Sequence, residues 1–360
     1  MKTEVSAVRE ARARFHATRI RWGFIWALWS AVLAGAWYIP ATALWYESPF
    51  AHIQADGNAV FLITAAIIAG LNAVTMLLFA LLWIGVLGKT ADYVRTFRRM
   101  RTISSWYLLA AIFGGPMALF GGFLAMGFIG AVFAAIAGLL YPIVGAVLAR
   151  LWYHEKITLR AAVGIFIIIA AGVTIFAPGI ISELTGMGEG AWLGYLGGAM
   201  TAVGWGIEGA IAGRVLDVSD PDCGLTIRFT AEVFYWFALI LPLIAWYTDF
   251  PVWEVIRAAL AEPRTVIMLL LAGISFAFAQ VTWYKSFPLI GVGRGQAVGD
   301  LYGVFTVLFV IVFALDIPEW NFLLGLVLAV VGGFVMYTER DSVLEVIRVL
   351  PHQRQPGTDP

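Results

Sequence analysis

The chain has 360 residues, of which 61% are hydrophobic and 13% charged, and its mean hydropathy is +0.87. A soluble domain cannot bury so large a share of apolar side chains, so the composition excludes a soluble globular protein and predicts a polytopic membrane protein. The formal net charge is zero, and the single cysteine, Cys223, excludes an intramolecular disulfide and a cysteine-based metal cluster.

Ten apolar segments are long enough to be membrane-spanning helices, each of which needs ~20 residues. They cover residues 22–46, 59–88, 105–126, 129–151, 158–177, 190–213, 225–248, 264–286, 293–315 and 320–338. The first apolar run has full span length and follows charged residues, which predicts that no signal peptide is cleaved. The expected fold class is an all-α membrane protein with ten transmembrane helices.

Positive charges are distributed unevenly between the connections. With the N-terminus placed inside, 21 of the 23 Lys and Arg residues lie on inside segments, and only Arg257 and Arg264 lie outside. Because cytoplasmic loops retain Lys and Arg, this predicts that both termini are cytoplasmic. We expect the basic tail 1–21 to lie along anionic headgroups, with a regulatory contact as the alternative.

Two local patterns interrupt this series of spans. Gly114-Gly115-Pro116 breaks the third span, which predicts either a position beside a cavity or a simple packing kink. Residues 250–262 place apolar side chains on one helical face and Glu254 and Arg257 mainly opposite, which predicts a short helix on the outer membrane surface.

Residues 127–172 recur at 288–333 when the sequence is shifted by 161 residues. The matched pairs are Gly130 with Gly291, Gly138 with Gly299, Tyr141 with Tyr302, Glu155 with Asp316, Gly164 with Gly325 and Gly172 with Gly333. Five spans per half is an odd number, so the second half is expected to be inverted relative to the first.

The repeat divides the chain into five parts. These are a cytoplasmic basic N-tail (1–21), a first five-helix repeat (22–177), an external loop that starts where Pro178 ends the fifth span (178–189), a second five-helix repeat (190–338) and a cytoplasmic C-tail (339–360).

The third to fifth spans carry a recognisable set of residues. They are Gly114, Tyr141-Pro142, the elbow His154-Glu155-Lys156-Ile157-Thr158, Gly164 and Gly172. In these residues the chain resembles the ten-span EamA-like members of the drug/metabolite transporter superfamily. The second copy departs from the pattern at Gly303, where the first has Pro142, and at the acidic elbow 316–319. The resemblance implies a central cavity between the halves, alternating access and a place in the cell inner membrane.

Three carboxylates lie inside predicted spans, where a charge costs ~2.5–3.5 kcal/mol or more at mid-bilayer. Glu208, Glu232 and Asp300 lie five to seven residues from the inner ends of their spans, which corresponds to ~8–11 Å of helix. They can form one cluster and exchange a proton or another ion with the cytoplasm. Asp300 is favoured, because it lies between Gly299 and Tyr302 in the span that mirrors the first copy of the repeat; its counterpart in the first half is Leu139.

The alternative for these carboxylates is a salt-bridge network. Arg228, Lys285 and Arg294 lie near the same depth, and Arg228 and Glu232 are four residues apart on one helix.

Aromatic side chains in the middle of spans are candidates for the walls of a cavity, and they suit an organic cation or an aromatic metabolite. With the carboxylates and one amide, the predicted substrate-binding set is Trp37, Tyr38, Tyr141, Trp205, Glu208, Gln280, Trp283, Tyr284, Asp300 and Tyr302. Asn72 and Gln296 are further polar candidates, whereas Trp22, Trp45, Trp106, Trp152, Trp246 and Trp320 are expected in the interfacial belt.

Motifs for catalysis and cofactors are absent from the sequence. GVGRGQAVG at 291–299 lacks the Lys-Ser/Thr end of a phosphate loop, and there is no H-E-x-x-H motif or nucleophile elbow. We therefore expect no enzymatic activity, no metal, no cofactor and no nucleic-acid partner. A small-molecule substrate and the lipid bilayer are the expected partners, and a homodimer is left open.

Three functions remain open from the sequence. The first is a secondary transporter that moves a small cationic or zwitterionic metabolite, coupled to a proton or another gradient. The second is an uncoupled facilitator or exporter of neutral, aromatic or amphipathic compounds. The third is a membrane scaffold that transports nothing.

Overall fold

The computed structural model describes residues 2–53, 57–153, 159–184, 191–216, 218–290, 292–315 and 317–337. All regular elements in these ranges are helical. Five helices are long and apolar enough to cross a membrane: Thr18–Tyr46, Asn58–Val86, Arg101–Phe128, Pro221–Thr248 and Pro263–Ile290. The chain is thus an α-helical membrane protein, as predicted. The predicted elbow 154–158, its counterpart Asp316 and the C-tail lie outside the described residues.

The helices of the first half follow the predicted spans closely. They are α1 (Lys2–Ala43), α2 (Asn58–Val86), α3 (Thr90–Arg99), α4 (Arg101–Phe128, with a π-helical segment at Phe113–Leu119), α5 (Ala131–Gly138), α6 (Tyr141–Tyr153) and α7 (Leu159–Leu184). The sequence analysis missed α3, which lies between the predicted spans 59–88 and 105–126.

The second half has the same order of these elements, whereas the short helix Phe50–Ile53 of the first half has no counterpart among its described residues. Its helices are α8 (Ala191–Val215), α9 (Pro221–Thr248, with a π-helical segment at Tyr235–Ile240), α10 (Val252–Ala261), α11 (Pro263–Ile290), α12 (Val292–Gly299), α13 (Tyr302–Ala314) and α14 (Trp320–Tyr337). The predicted helix at 250–262 is confirmed as α10, which buries Val252, Val255, Ile256 and Ala259.

Several helices of the first half recur in the second half at a nearly constant shift in residue number. The pairs α5 and α12, and α6 and α13, begin and end 161 residues apart, as Ala131 and Val292 illustrate. The short helices α3 and α10 begin and end 162 residues apart. In both halves, two residues interrupt what the sequence predicts as one span: 139–140 in the first and 300–301 in the second.

Three details of the structure add to or differ from the sequence analysis. Pro178 does not end the fifth span, because α7 continues to Leu184; a proline removes a single backbone donor, and the helix continues beyond it. The N-tail is helical and continuous with the first span, because α1 begins at Lys2. Trp45 is buried in the protein, where its ring stacks on Phe61 and its Nε1 donates to the Phe123 carbonyl at 3.2 Å.

Close helix packing is made by small residues. The pairs that pack most extensively are α1 with α11, α7 with α14, and α4 with α8. A Cβ on Gly121 of α4 would lie 2.5 Å from the Gly197 carbonyl oxygen, and a Cβ on Gly197 of α8 would lie 2.5 Å from that of Gly121. The two backbones therefore touch directly, as small residues allow in membrane helices.

The start of α9 has a strong local signal. The Asp220 side chain accepts a hydrogen bond from the Cys223 N–H at 3.0 Å, and Pro221 occupies the first helical position. An acidic N-cap followed by proline is a favoured helix start. The Asp carboxylate accepts from a backbone N–H that has no partner within the helix, and proline has no N–H to leave unpaired. This cap fixes where Asp222 and Arg228 lie along the helix.

Candidate functional site

The candidate site lies where the two interrupted spans meet. At each interruption, a backbone hydrogen bond to the third preceding residue replaces the α-helical bond to the fourth. The Leu139 N–H donates to the Ile136 carbonyl at 3.1 Å, and the Leu301 N–H donates to the Val298 carbonyl at 3.2 Å. A Cβ on Gly138, at the end of α5, would collide with the Tyr302 hydroxyl at the start of α13. The absence of a side chain at Gly138 thus lets the two interruptions approach.

A cavity of about 50 Å³ lies at this meeting point. Its lining residues are Ser30, Ala34, Tyr141, Trp205, Phe276, Ala279, Gln280, Trp283, Gly299 and Tyr302. Five residues of the predicted substrate-binding set therefore share one cavity: Tyr141, Trp205, Gln280, Trp283 and Tyr302. Since a water molecule takes ≈ 30 Å³ of liquid volume, the cavity in this conformation holds water-sized occupants and is closed to a metabolite.

Trp37 and Tyr38 support this lining as part of the packed core, without lining the cavity themselves. Trp37 lies 4.5 Å from the Phe276 ring centroid, and Tyr38 stacks on Tyr302 at 6.0 Å. Trp205 meets Tyr302 edge to face, also at 6.0 Å. The rings thus form a continuous aromatic cluster around the cavity.

Several polar atoms of this cluster lack hydrogen-bond partners. Trp37 Nε1, Trp205 Nε1 and Gln280 Oε1 are buried and meet no partner among the described residues. Buried polar groups are normally paired, and two of these atoms, on Trp205 and Gln280, belong to residues that line the cavity, so they mark places where a ligand or water can bind.

Asp300 lies directly after Gly299, at the C-terminal end of α12. Its side chain is fully buried, and neither carboxyl oxygen has a hydrogen-bond partner among the described residues. Tyr141 lies beside it, but its hydroxyl donates to the Gln296 carbonyl at 3.2 Å. A Cβ on Gly333 of α14 would lie 2.8 Å from Asp300 Oδ2, so the glycine makes room for the carboxyl group.

Glu208 and Glu232 lie elsewhere, on a common arginine. Arg228 Nε donates to Glu208 Oε1 at 2.9 Å, and Arg228 Nη1 donates to Glu232 Oε2. Tyr284 donates its hydroxyl to Glu208 Oε1 at 3.1 Å. All four side chains are fully buried. This arrangement is the salt-bridge alternative that the sequence left open.

The π-helical segment of α4 makes room for this ion cluster. A Cβ on Gly114 would collide with the Glu208 carboxylate and the Arg228 guanidinium, and a Cβ on Gly115 would lie 2.5 Å from the Glu232 carboxyl carbon. The Gly-Gly-Pro break therefore packs on buried charge, and it does not line the central cavity.

The remaining predicted polar residues have other partners. Lys285 lies away from the Arg228 cluster and pairs with Asp222. Asn72 is buried, with its Nδ2 3.4 Å from Met76 Sδ. Gln296 packs against Gly209. Tyr284 belongs to the ion cluster and does not line the cavity, and the side chain of Arg294 is outside the described residues.

A second ion cluster, which the sequence analysis missed, lies where α2, α9 and α11 meet. Asp222 accepts from Lys89 Nζ at 2.6 Å, Lys285 Nζ at 3.0 Å and Trp83 Nε1 at 2.9 Å. Lys89 also pairs with Asp220 at 2.7 Å. The N-cap signal at Asp220-Pro221 marked this helix start, but no spacing connected it with residues 83–89.

The charges of this cluster shift one another's pKa values. Burial lowers the pKa of Lys89, but its bonds to Asp220 and Asp222 outweigh burial and raise it above its ordinary value. Burial raises the pKa of Asp220, but the bonds from Lys89 and the Cys223 N–H outweigh burial and lower it. With these shifts, Lys89 stays protonated and Asp220 stays ionised at neutral pH, so the ion pair persists there.

Phe276 is the main cavity residue that sequence reasoning missed. It lies four residues before Gln280 and seven before Trp283, which are positions on the same helical face, so helical spacing from these two residues would have found it. Ser30 and Ala34 on α1 show the same four-residue spacing.

No family model and no curated protein matches this chain. Among solved structures, a chain described only as "Crystal structure of protein" aligns with 85% of this chain and 96% of its own length, at 18% identity and a TM-score of 0.49. At that identity and score, the likeness assigns neither a family nor a function.

Proposed function

We propose that this protein is a secondary transporter of a small organic cation or zwitterion, with the architecture of the EamA-like drug/metabolite transporters. In this proposal, ten spans form two inverted five-helix repeats in the cell inner membrane, and both termini are cytoplasmic. The equal spacing of the helix bounds supports the repeat, because α5, α6, α12 and α13 keep one shift of 161 residues at both their ends.

The observation that carries the proposal is the cavity at the two helix interruptions. Interrupted helices expose backbone groups and typically bind substrates and coupling ions near the middle of the membrane. Here Tyr141 and Gly299 line the cavity from the two interruptions, and Trp205 and Trp283 add aromatic faces. Asp300 adjoins this lining and has no cationic partner among the described residues.

The same lining favours a positively charged substrate group. Aromatic faces attract a cation through the ring quadrupole, and a nearby carboxylate adds charge. A cavity of about 50 Å³ must enlarge before a metabolite enters, since ligand pockets usually measure ≈ 300–1,000 Å³. Alternating access supplies this enlargement, and the present conformation corresponds to its closed step.

Asp300 is our first choice for coupling. It is a buried carboxyl group without a paired cation, so it can take up a proton or a monovalent cation without breaking an existing salt bridge. Glu208 and Glu232 share Arg228, and a change of charge there has to disrupt that cluster first. They follow Asp300 in our order of coupling residues.

The test is transport by proteoliposomes with and without a pH gradient. We expect the wild type to accumulate an organic cation from a panel of amines and zwitterionic amino acids only when the gradient is present. Asp300→Asn should abolish accumulation but retain substrate-induced thermal stabilisation, because the aromatic lining is unchanged. Gradient-driven accumulation by Asp300→Asn would disprove the coupling role.

A second function is favoured by one specific observation. Gln280 and Ser30 are the non-aromatic polar side chains of the lining, which suits an uncoupled facilitator of neutral, aromatic or amphipathic compounds. Counterflow that is equal with and without any ion gradient, and unchanged in Asp300→Asn, would establish this function in place of the first.

A further inference from the structure

A second cavity lies between α1 and α11, outside the aromatic cluster. It measures about 420 Å³ and is lined by Trp26, Trp29 and Leu33 of α1 and by Ile274, Ser275, Phe278 and Thr282 of α11. We call it the α1–α11 groove. Its volume lies within the ≈ 300–1,000 Å³ of typical ligand sites, and it shares no lining residue with the central cavity.

The surroundings of the groove are apolar and face outward. Leu28 and Trp29 on α1 are 45% and 53% exposed, and Leu270 and Leu271 on α11 are 41% and 47% exposed. Both helices contain segments that are long and apolar enough to cross the membrane, so the groove opens toward lipid. A groove in that position takes its occupant from the lipid phase.

The two hydroxyl groups in the groove are already bonded to the backbone. Ser275 Oγ donates to the Leu271 carbonyl at 2.7 Å, and Thr282 Oγ1 donates to the Phe278 carbonyl at 2.8 Å. The groove therefore offers an occupant mainly dispersion contacts and apolar burial. An acyl chain fits this chemistry, whereas a polar metabolite would lose its hydrogen bonds with water.

One end of the groove is basic. Lys285 Nζ lies 5.4 Å from the ring centroid of Trp26, which lines the groove. Arg19 Nη2 donates to the Pro288 carbonyl at 3.4 Å, which places a second positive charge less than a turn of α11 away from Lys285. Lys285 also binds Asp222 at 3.0 Å, but an ammonium group has three donors and can bind an additional anion.

We infer that the α1–α11 groove binds an acyl chain of an anionic phospholipid, with the phosphate at Lys285 and Arg19. Apolar lining along the groove and positive charge at one end match the two parts of such a lipid. The inference depends only on the membrane-embedded fold, so it stands or falls separately from the proposed transport.

The first test is native mass spectrometry of the purified protein with equal amounts of phosphatidylglycerol and phosphatidylcholine that carry identical chains. We expect the wild type to retain phosphatidylglycerol preferentially. Arg19→Gln should weaken this preference about fivefold, which corresponds to the ≈ 1 kcal/mol that one basic residue contributes at an anionic surface. Equal retention of the two lipids by the wild type would disprove the preference of this site for an anionic headgroup.

A groove-filling pair of variants tests the location. Ser275→Trp places an indole in the groove and should abolish retention of both lipids, whereas Leu271→Trp, on the exposed surface beside the groove, should keep it. Equal retention by both variants would overturn the site. A dimer that is lost only in Ser275→Trp would assign the groove to a second copy of the chain instead.

Photo-crosslinking of the unmodified protein removes any dependence on how the variants fold. Phosphatidylglycerol with a photoreactive acyl chain should label peptides that contain Trp29 or Ser275, and unlabelled phosphatidylglycerol should compete. Labelling that is spread evenly over all lipid-facing helices would overturn the inference.

Discussion

The two helix interruptions of this protein have the same backbone and different chemistry. The first, between α5 and α6, contains Leu139, which is fully buried and apolar. The second, between α12 and α13, contains Asp300 at the corresponding position 161 residues later, fully buried and without a hydrogen-bond partner among the described residues. At this position the first half thus has an apolar side chain, and the second half has a carboxyl group.

The same asymmetry extends beyond the interruptions. The buried charged side chains of the described residues are Glu208, Asp222, Arg228, Glu232 and Asp300, and all belong to the second half. Charge in a membrane interior is costly, so its concentration in one half distinguishes the two halves in the energy of burial. The comparison also separates two kinds of buried charge: Glu208 and Glu232 are paired, and Asp300 is not.

The largest expected effect comes from removing the central cation of the second half. Arg228→Met leaves two buried carboxylates without their cation, and we expect a loss of about 3–5 kcal/mol in the free energy of unfolding. Thermal unfolding in detergent measures it. The triple variant Glu208→Gln, Arg228→Met, Glu232→Gln should recover most of the loss. Arg95→Met, which removes an exposed ion pair with Asp92, serves as a control with little effect.

The next effect tests the two interruptions against each other. Leu139→Asp places a carboxyl group at the apolar interruption, and we expect a loss of about 2.5–3.5 kcal/mol. Asp300→Leu removes an unpaired buried carboxyl group, so its melting temperature should equal or exceed that of the wild type. If Asp300→Leu unfolds more readily than Leu139→Asp, Asp300 is a structural residue and the comparison fails.

A smaller effect is expected where α4 packs on the ion cluster. Gly114→Ala brings a methyl group onto the Glu208 carboxylate, and such overpacking typically costs about 1–3 kcal/mol. Gly122→Ala is the matched control on the same helix, because its Cβ would meet Trp37 at an ordinary 3.6 Å. Equal melting temperatures for the two variants would show that the cluster does not require a glycine at position 114.

The smallest effect concerns pH and the cluster around Asp222. The lowered pKa of Asp220 gives stability that is present above its unfolded pKa and is lost as the pH falls through the folded value. The raised pKa of Lys89 gives stability that is lost only as the pH rises through a value above its ordinary range. Asp220→Asn should therefore lower stability slightly at neutral pH and flatten the acid side of the profile, so that variant and wild type converge at low pH, as thermal unfolding between about pH 3 and pH 8 will show.

Most of the helical fold could be predicted from the sequence, because span length and apolar composition are properties of local segments. The interruption at 139–140 could not, since Leu139 and Leu140 are apolar and carry no turn signal. Helix α3 was missed because its basic composition resembles that of a linker, and Pro178 suggested an end that the backbone does not have.

The candidate site could be predicted in part. Mid-span position identified Tyr141, Trp205, Trp283 and Tyr302 as lining residues. It did not separate them from Trp37, Tyr38 and Tyr284, which pack in the core or on the ion cluster. The pairing of Asp222 with Lys89 could not be predicted, because it joins residues 133 positions apart and depends on how α2, α9 and α11 pack. Contacts of this kind are set by three-dimensional packing and leave no periodic pattern in the sequence.

The backbone contact between Gly121 and Gly197 constrains how this protein can move. The side-chain hydroxyl of Thr201 on α8 adds a contact beside it, 3.1 Å from the Ala118 carbonyl oxygen of α4 and 3.0 Å from the Gly197 carbonyl oxygen of its own helix. Sliding of one helix along the other would force a side chain into a space that admits only hydrogen. Any rearrangement must therefore carry these two helices as one rigid block, and a pair of spin labels across them would report the same separation in every state.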